Sequence, residues 1–199
     1  MSETAVLVVN AALQMIAAQK TITSLTDGSA AANAASVVYA PTVQLMLREL
    51  DPDFARLTAA LTIQTGGTNP LPWAYEYAYP ADCIRVRQVR PPASGTGALA
   101  DVNNPSPVRS NVAIDLISGV PTKVILTNQQ NALAVYTSSS VAEAQWDAAF
   151  TDTLIRRLAN PLAMALTGRP DFATALLEQA ARMASTCETI DESSVRRRM

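Results

Sequence analysis

The side chains best suited to chemistry lie in the middle of the chain: Cys83, a candidate nucleophile, and Glu76, Asp82 and Asp115, which could pair for acid–base work. A thiol nucleophile needs a base to take its proton, and the sequence contains no histidine. Arg85 would favour the thiolate, but position 83 follows a turn into an apolar-alternating strand, where a free cysteine packs as a small hydrophobe. Carboxylates act together only when they converge within about 10 Å. Nothing in the spacing of these three brings them together, and Glu76 reads as a residue on the solvent or interface face of a strand. Gly66, Gly67, Gly95 and Gly97 match no phosphate-binding loop, because neither a following Lys-Ser/Thr nor a strand–glycine–helix context is present. The expectation is a chain with no catalytic, cofactor-binding or metal-binding residues, and not an enzyme.

Bulk composition narrows the classes further. Without histidine, His-containing triads and His-ligated zinc sites are excluded. The chain is 49% hydrophobic and only 16% charged, against about a quarter charged in an ordinary globular protein. Alanine supplies much of the apolar share. That balance suits a protein that hides surface in an obligate oligomer. The net charge of −2 gives no overall attraction to nucleic acid. The apolar runs are much shorter than the roughly 20 residues that span a bilayer. The first residues lack the basic segment of a secretory signal. Two cysteines, Cys83 and Cys187, make no disulfide framework, and synthesis in a reducing cytosol follows.

The stretch from Trp73 to Pro92 organises the chain. Trp73, Tyr75, Tyr77 and Tyr79 alternate with Ala74, Glu76 and Ala78, the period of a pleated strand, so four of the ten aromatic residues share one face. Pro80-Ala81-Asp82 breaks the strand. A second alternating run, Ile84 and Val86 against Arg85 and Arg87, completes what reads as an antiparallel hairpin with one buried face. Trp73, Tyr75, Tyr77, Tyr79 and Asp82 are its packing or interface candidates.

Helices flank this centre. The first runs to about Gln19, capped by Ser2 or Thr4, with Val6, Val9, Leu13 and Ile16 as its stripe. Asp27-Gly28-Ser29 announces a second, to Leu50, with Ala31, Ala35, Val38, Leu45 and Met46 on one side and a kink expected at Pro41. Asp51-Pro52-Asp53 ends it. Phe54 to Gln64 reads as a strand, residues 91–111 as a long loop, and the runs from Val112, Lys123 and Ala132 as further strands. Trp146, Phe150, Leu154, Leu158 and Leu162 mark a third helix, kinked at Pro161 and stopped by Gly168. Phe172, Leu176, Ala180, Met183, Cys187 and Ile190 mark a fourth. The expected fold is mainly α: an antiparallel bundle of about four helices, residues 1–50 and 142–192, with a small antiparallel sheet inserted at 51–141 and an extended tail at 193–199.

Three stretches carry a family likeness. They are the opening helix with Ile22-Thr23-Ser24-Leu25 and the alanine-rich second helix with Tyr39 and Leu47; Tyr79-Pro80-Ala81-Asp82-Cys83-Ile84-Arg85-Val86; and Lys123-Val124-Ile125-Leu126-Thr127-Asn128, then Tyr136-Thr137 and Trp146 to Phe150 leading into Leu158-Ala159. In this order they span most of the chain, and the sequence resembles the head-to-tail adaptor, or tail tubular, proteins of short-tailed phages. Asp51-Pro52-Asp53-Phe54 departs from the Pro-Trp-x-Phe-Ala often found there. The resemblance implies a structural virion protein, made in the host cytoplasm and placed at the head–tail junction. It would form a homo-oligomeric, twelve-fold ring between portal protein and tail nozzle or tail fibre proteins, with DNA passing through the channel without sequence-specific binding and no membrane contact. It also gives the C-terminal residues Val195, Arg196, Arg197, Arg198 and Met199 a role in touching portal; by charge alone the arginines read rather as a solvated, frayed terminus. The alternative from a different class is a soluble helical oligomeric binding or regulatory module whose β insertion is the recognition face.

Overall fold

Asp27 sets the start of the longest helix among the described residues. Its carboxylate accepts the backbone N–H of Ser29 at 2.9 Å and of Thr23 at 3.0 Å, and Gly28 takes the left-handed conformation (φ +79°) that the turn requires. Ser29 then caps the helix, its hydroxyl accepting from the Ala32 N–H at 3.1 Å. The computed structural model describes residues 3–16, 21–92 and 108–167. Within them the chain forms helices α1 (Glu3–Met15), α2 (Ala30–Leu50) and α3 (Ala148–Thr167) and strands β1 (Arg56–Ala60), β2 (Tyr75–Ala78), β3 (Cys83–Arg90), β4 (Ser110–Ile117), β5 (Val120–Thr127) and β6 (Leu133–Ser138). It divides into two compact units, Met1–Phe54 with Val141–Met199, and Ala55–Ser140.

In the helical unit α3 packs against both α1 and α2. Its stripe of Phe150, Leu154, Leu158 and Leu162 is buried, together with Thr153, Ala159 and Ala163. Asp147 starts it, its carboxylate accepting the Phe150 N–H at 2.6 Å. Phe150 meets Phe54 and Trp146 edge-on, at centroid distances of 5.1 and 5.3 Å. The Arg157–Glu49 ion pair, 2.6 Å, joins α3 to α2. On α1 the buried stripe is Ala5, Val8, Val9, Ala12 and Leu13, one position off the expected register at Val6, and the helix ends at Met15 rather than near Gln19. Asn10 holds the following segment by two hydrogen bonds to the backbone of Ile22. Helix α2 continues through Pro41. Pro41 has no N–H to offer the Val37 carbonyl one turn earlier, and both residues are exposed, on the side of the helix that solvent reaches.

In the β unit the strands form two antiparallel three-stranded sheets, β1-β6-β3 (sheet A) and β2-β5-β4 (sheet B). The β4–β5 hairpin closes on Ser118-Gly119, both with positive φ (52° and 85°), the geometry that matches strand twist. Tyr77 and Ile125 of sheet B bury against Val89, Ala134 and Tyr136 of sheet A, with Leu61 and Ala132 at the margin. A core is thus closed between the sheets themselves.

These facts overturn the expectation of a mainly α bundle of about four helices with a small sheet insertion. The described residues hold three helices, and the six strands make a two-sheet unit with its own core. The expected hairpin is also corrected. β2 pairs with β5, and β3 pairs with β6, because the turn at Pro80–Asp82 carries the chain out of one sheet and into the other. The fourth helix, the tail with its candidates Val195, Arg196, Arg197, Arg198 and Met199, and most of the 91–111 loop lie outside the described residues. Among the described residues no helix is long and apolar enough to cross a membrane.

Candidate functional site

The Tyr79–Val86 segment works as a clasp between the two sheets. The Cys83 N–H donates to Pro80 O at 3.0 Å, closing the turn. Asp82 then faces β6: Ser138 Oγ donates to its Oδ2 at 2.6 Å and the Tyr136 hydroxyl to its Oδ1 at 3.0 Å. Ser139 donates from its backbone N–H at 2.8 Å and from its hydroxyl at 3.1 Å to Asp82 O. The Ser138 hydrogen bond holds the Asp82 carboxyl below its ordinary range despite partial burial. Burial and the facing Asp82 push the Tyr136 phenol up to about 12. The Cys83 thiol is half-buried, and burial pushes it up against the smaller pulls of the Tyr79 hydroxyl and the Lys123 ammonium. A thiol so placed is mostly protonated at neutral pH and a poor nucleophile.

Register places the aromatic row on the inner face of sheet B. Tyr77 stands beside Ile125 and Ile125 beside Val112, and Lys123 beside Ile114; residues paired this way share a face. Tyr77 is fully buried, and its hydroxyl donates to Gln129 O at 2.8 Å. Tyr75 lies 6.3 Å from Tyr77 between ring centroids. Trp73 lies just ahead of β2 with the Arg109 guanidinium 5.4 Å from its ring, and Lys123 Nζ sits 3.8 Å from the Tyr79 ring. On the same face, but at the outer strand β4, Val112, Ile114 and Leu116 are 41%, 75% and 53% exposed. One face of sheet B is therefore core along β2 and β5 and bare apolar surface along β4.

The opposite face corrects the expectation for Glu76. It is 4% exposed rather than facing solvent or an interface. The 64–70 loop folds over it: Asn69 N–H donates to its Oε2 at 3.1 Å, and Oε1 is buried with no hydrogen-bond partner. A Cβ at Gly67 would collide with both carboxyl oxygens, so only glycine lets the loop approach this closely. Asp115 of β4 comes to the same place and receives Thr68 twice, the amide at 2.7 Å to Oδ2 and the hydroxyl at 2.7 Å to Oδ1. Burial pushes the Glu76 carboxyl up and the nearby Asp115 adds to this, while the Thr68 hydroxyl and amide hold Asp115 down. Of the three carboxylates weighed from the sequence, Glu76 and Asp115 converge and Asp82 belongs to the clasp. Strand period does not show this pairing, because Gly66-Gly67 reads in sequence only as a loop. Two adjacent glycines before a strand bearing one carboxylate among small residues were the available signal. Sealed under the loop, Glu76 offers no oxygen to a substrate.

Among the described residues no group of three or more acidic, cysteine or histidine side chains is placed to hold a metal ion. The helical unit has a hollow of about 290 Å3 lined by Leu25, Ser36, Tyr39 and Glu143 among others, where the Tyr39 hydroxyl donates to Glu143 Oε1 at 3.0 Å. No protein-family model matches the chain, and no curated protein matches it in sequence.

Proposed function

We propose that this chain is a structural virion protein, a head-to-tail adaptor whose copies form a ring between portal and tail nozzle and extend the DNA channel. The observation that carries the reading is the bare apolar strip of Val112, Ile114 and Leu116 on the edge strand β4. It continues a face that is core elsewhere, and edge strands with such a surface pair or aggregate unless a partner covers them. In a head-to-tail ring each copy would lay β4 against a different surface of its neighbour, so every strip is covered once the ring closes. Low charge and high alanine content support the same reading, as does the likeness of Tyr79–Val86 to the adaptor signature. The clasp gives that likeness a physical sense, since Asp82 fixes the crossing between sheets on which the strip depends.

On this reading Val195 to Met199 reach portal, the assembled protein resides at the head–tail junction, and the channel wall needs no affinity for DNA. A reconstruction of the intact particle tests the placement. The expected result is a ring of this chain beneath portal with β4 at the contact between copies. Particles that lack the chain, or a ring with β4 facing solvent, contradict it.

A further inference from the structure

We propose that Glu76 is carried protonated in the folded β unit and shares its proton with Asp115, so that the 64–70 loop is latched to sheet B by a proton and loosens when the proton leaves. An ionised carboxylate is acceptor-only and is tolerated in the interior when several donors face it. Glu76 has one, the Asn69 amide on Oε2, and its buried Oε1 has none. Asp115 has the donors that Glu76 lacks: Thr68 through amide and hydroxyl, and the Leu116 N–H at 2.8 Å. The adjacent backbone amides of Thr68 and Asn69, donating at 2.7 and 3.1 Å, hold the Asp115 and Glu76 carboxyls side by side. One proton between them turns Glu76 Oε1 from an orphaned acceptor into a donor towards Asp115, which stays ionised. Two like charges so close do not both ionise readily.

Among the described residues no cation stands by to take the proton's place. From β4 the charged group facing Glu76 is Asp115. On β5 the charged residue is Lys123, which is on the other face over Tyr79. The 64–70 loop, Gln-Thr-Gly-Gly-Thr-Asn-Pro, carries no charge. Arg109, ahead of β4, stacks on Trp73. The loop backbone at Gly67 presses directly on the carboxyl, which leaves no space there for the six to eight oxygens that a calcium ion gathers.

The direction of the pH effect follows from the two shifts. Glu76 is raised above its ordinary 4.5, so above that value the folded unit holds a proton that the unfolded chain has released. Stability therefore falls as pH rises from there through the folded value. Asp115 is held below its ordinary 3.8, so its share is lost only as pH falls beneath that. The latch is tightest in mild acid and loosens towards neutrality. Because the chain has no histidine, no ordinary side chain titrates in that window to mask it.

Backbone hydrogen exchange of the full chain, corrected for the intrinsic rate, measures the latch at Thr68 and Asn69. Between about pH 5 and about pH 8, protection in the wild type is expected to fall by clearly more than about twofold. In Glu76→Gln, whose amide donates to Asp115 without titrating, protection stays within about twofold. If that variant does not fold, the carboxyl carbon resonance of Glu76 in the wild type, and in Asp115→Asn, supplies the test: a raised midpoint that drops when Asp115 is neutralised supports the shared proton. Flat protection in the wild type, the same slope in Glu76→Gln, or an ordinary glutamate midpoint overturns it. So does calcium chloride at neutral pH if it restores protection in the wild type and not in Glu76→Gln, since the occupant would then be a cation.

Discussion

Ser138 Oγ lies 2.6 Å from Asp82 Oδ2 and donates to it, and this bond ties the turn that leaves sheet B to the central strand of sheet A. With the Tyr136 hydroxyl on the other oxygen, one carboxylate fixes where the chain passes between sheets. Replacing Asp82 by Ala removes two hydrogen bonds to a charged acceptor and leaves the Tyr136 hydroxyl without its partner. The expected loss of stability is about 2–4 kcal/mol by denaturant unfolding. Because the folded carboxyl is held below its ordinary 3.8, its contribution is whole above that value and disappears as pH falls through the folded value. Wild type should lose stability on acidification below about pH 4, and Asp82→Asn should lose less.

Phe150 is buried between Phe54 and Trp146. Phe150→Ala should destabilise the helical unit by about 3–5 kcal/mol. Trp146 loses its ring neighbour, so its fluorescence should shift even in native buffer. A native-like emission spectrum with unchanged unfolding midpoint would contradict this packing.

Ser29 supplies the N-cap of α2 through its hydroxyl. Ser29→Ala should lower stability by about 1 kcal/mol, and Ser29→Asp should retain it. Thermal unfolding followed by helix circular dichroism distinguishes the two.

Cys83 should alkylate slowly. Its thiol is half-buried and pushed up by that burial, so at mildly alkaline pH the reactive thiolate is scarce. Peptide mapping after iodoacetamide should show Cys83 reacting about tenfold or more slowly in the folded chain than in denaturant. Equal rates would place the thiol in open solvent.

Local patterns were legible in the sequence; pairing was not. Asp27-Gly28-Ser29 marked the start of α2 because capping is a matter of adjacent residues, and the stripe from Phe150 to Leu162 marked the buried face of α3. Alternation at Tyr75, Tyr77 and Tyr79 signalled a strand with one apolar face. It carries no information on partners, and it points no further than the nearest strand in sequence. Asp82 decided otherwise, through contacts with Tyr136 and Ser138 more than fifty residues away. In sequence the two sheets look like a small insertion, because each strand is short and their shared core is assembled from single residues of several strands. Glu76 was misplaced for a related reason: strand period assigns a residue to a face, and only the 64–70 loop determines whether that face meets water.

On the proposed function the chain assembles through the exposed strip of β4. Ile114→Asp with Leu116→Asp tests it, since substitutions at exposed positions alter folding stability by only about 0.5 kcal/mol or less. The direct measurement is the mass in solution, by light scattering, of the full chain alone and mixed with the portal protein of the same genome. Wild type is expected to join portal as a closed ring, the double variant to stay folded and unassembled, and a chain lacking Val195 to Met199 to bind portal more weakly. A wild-type chain that remains a monomer and ignores portal, or a double variant that assembles as wild type does, contradicts the account.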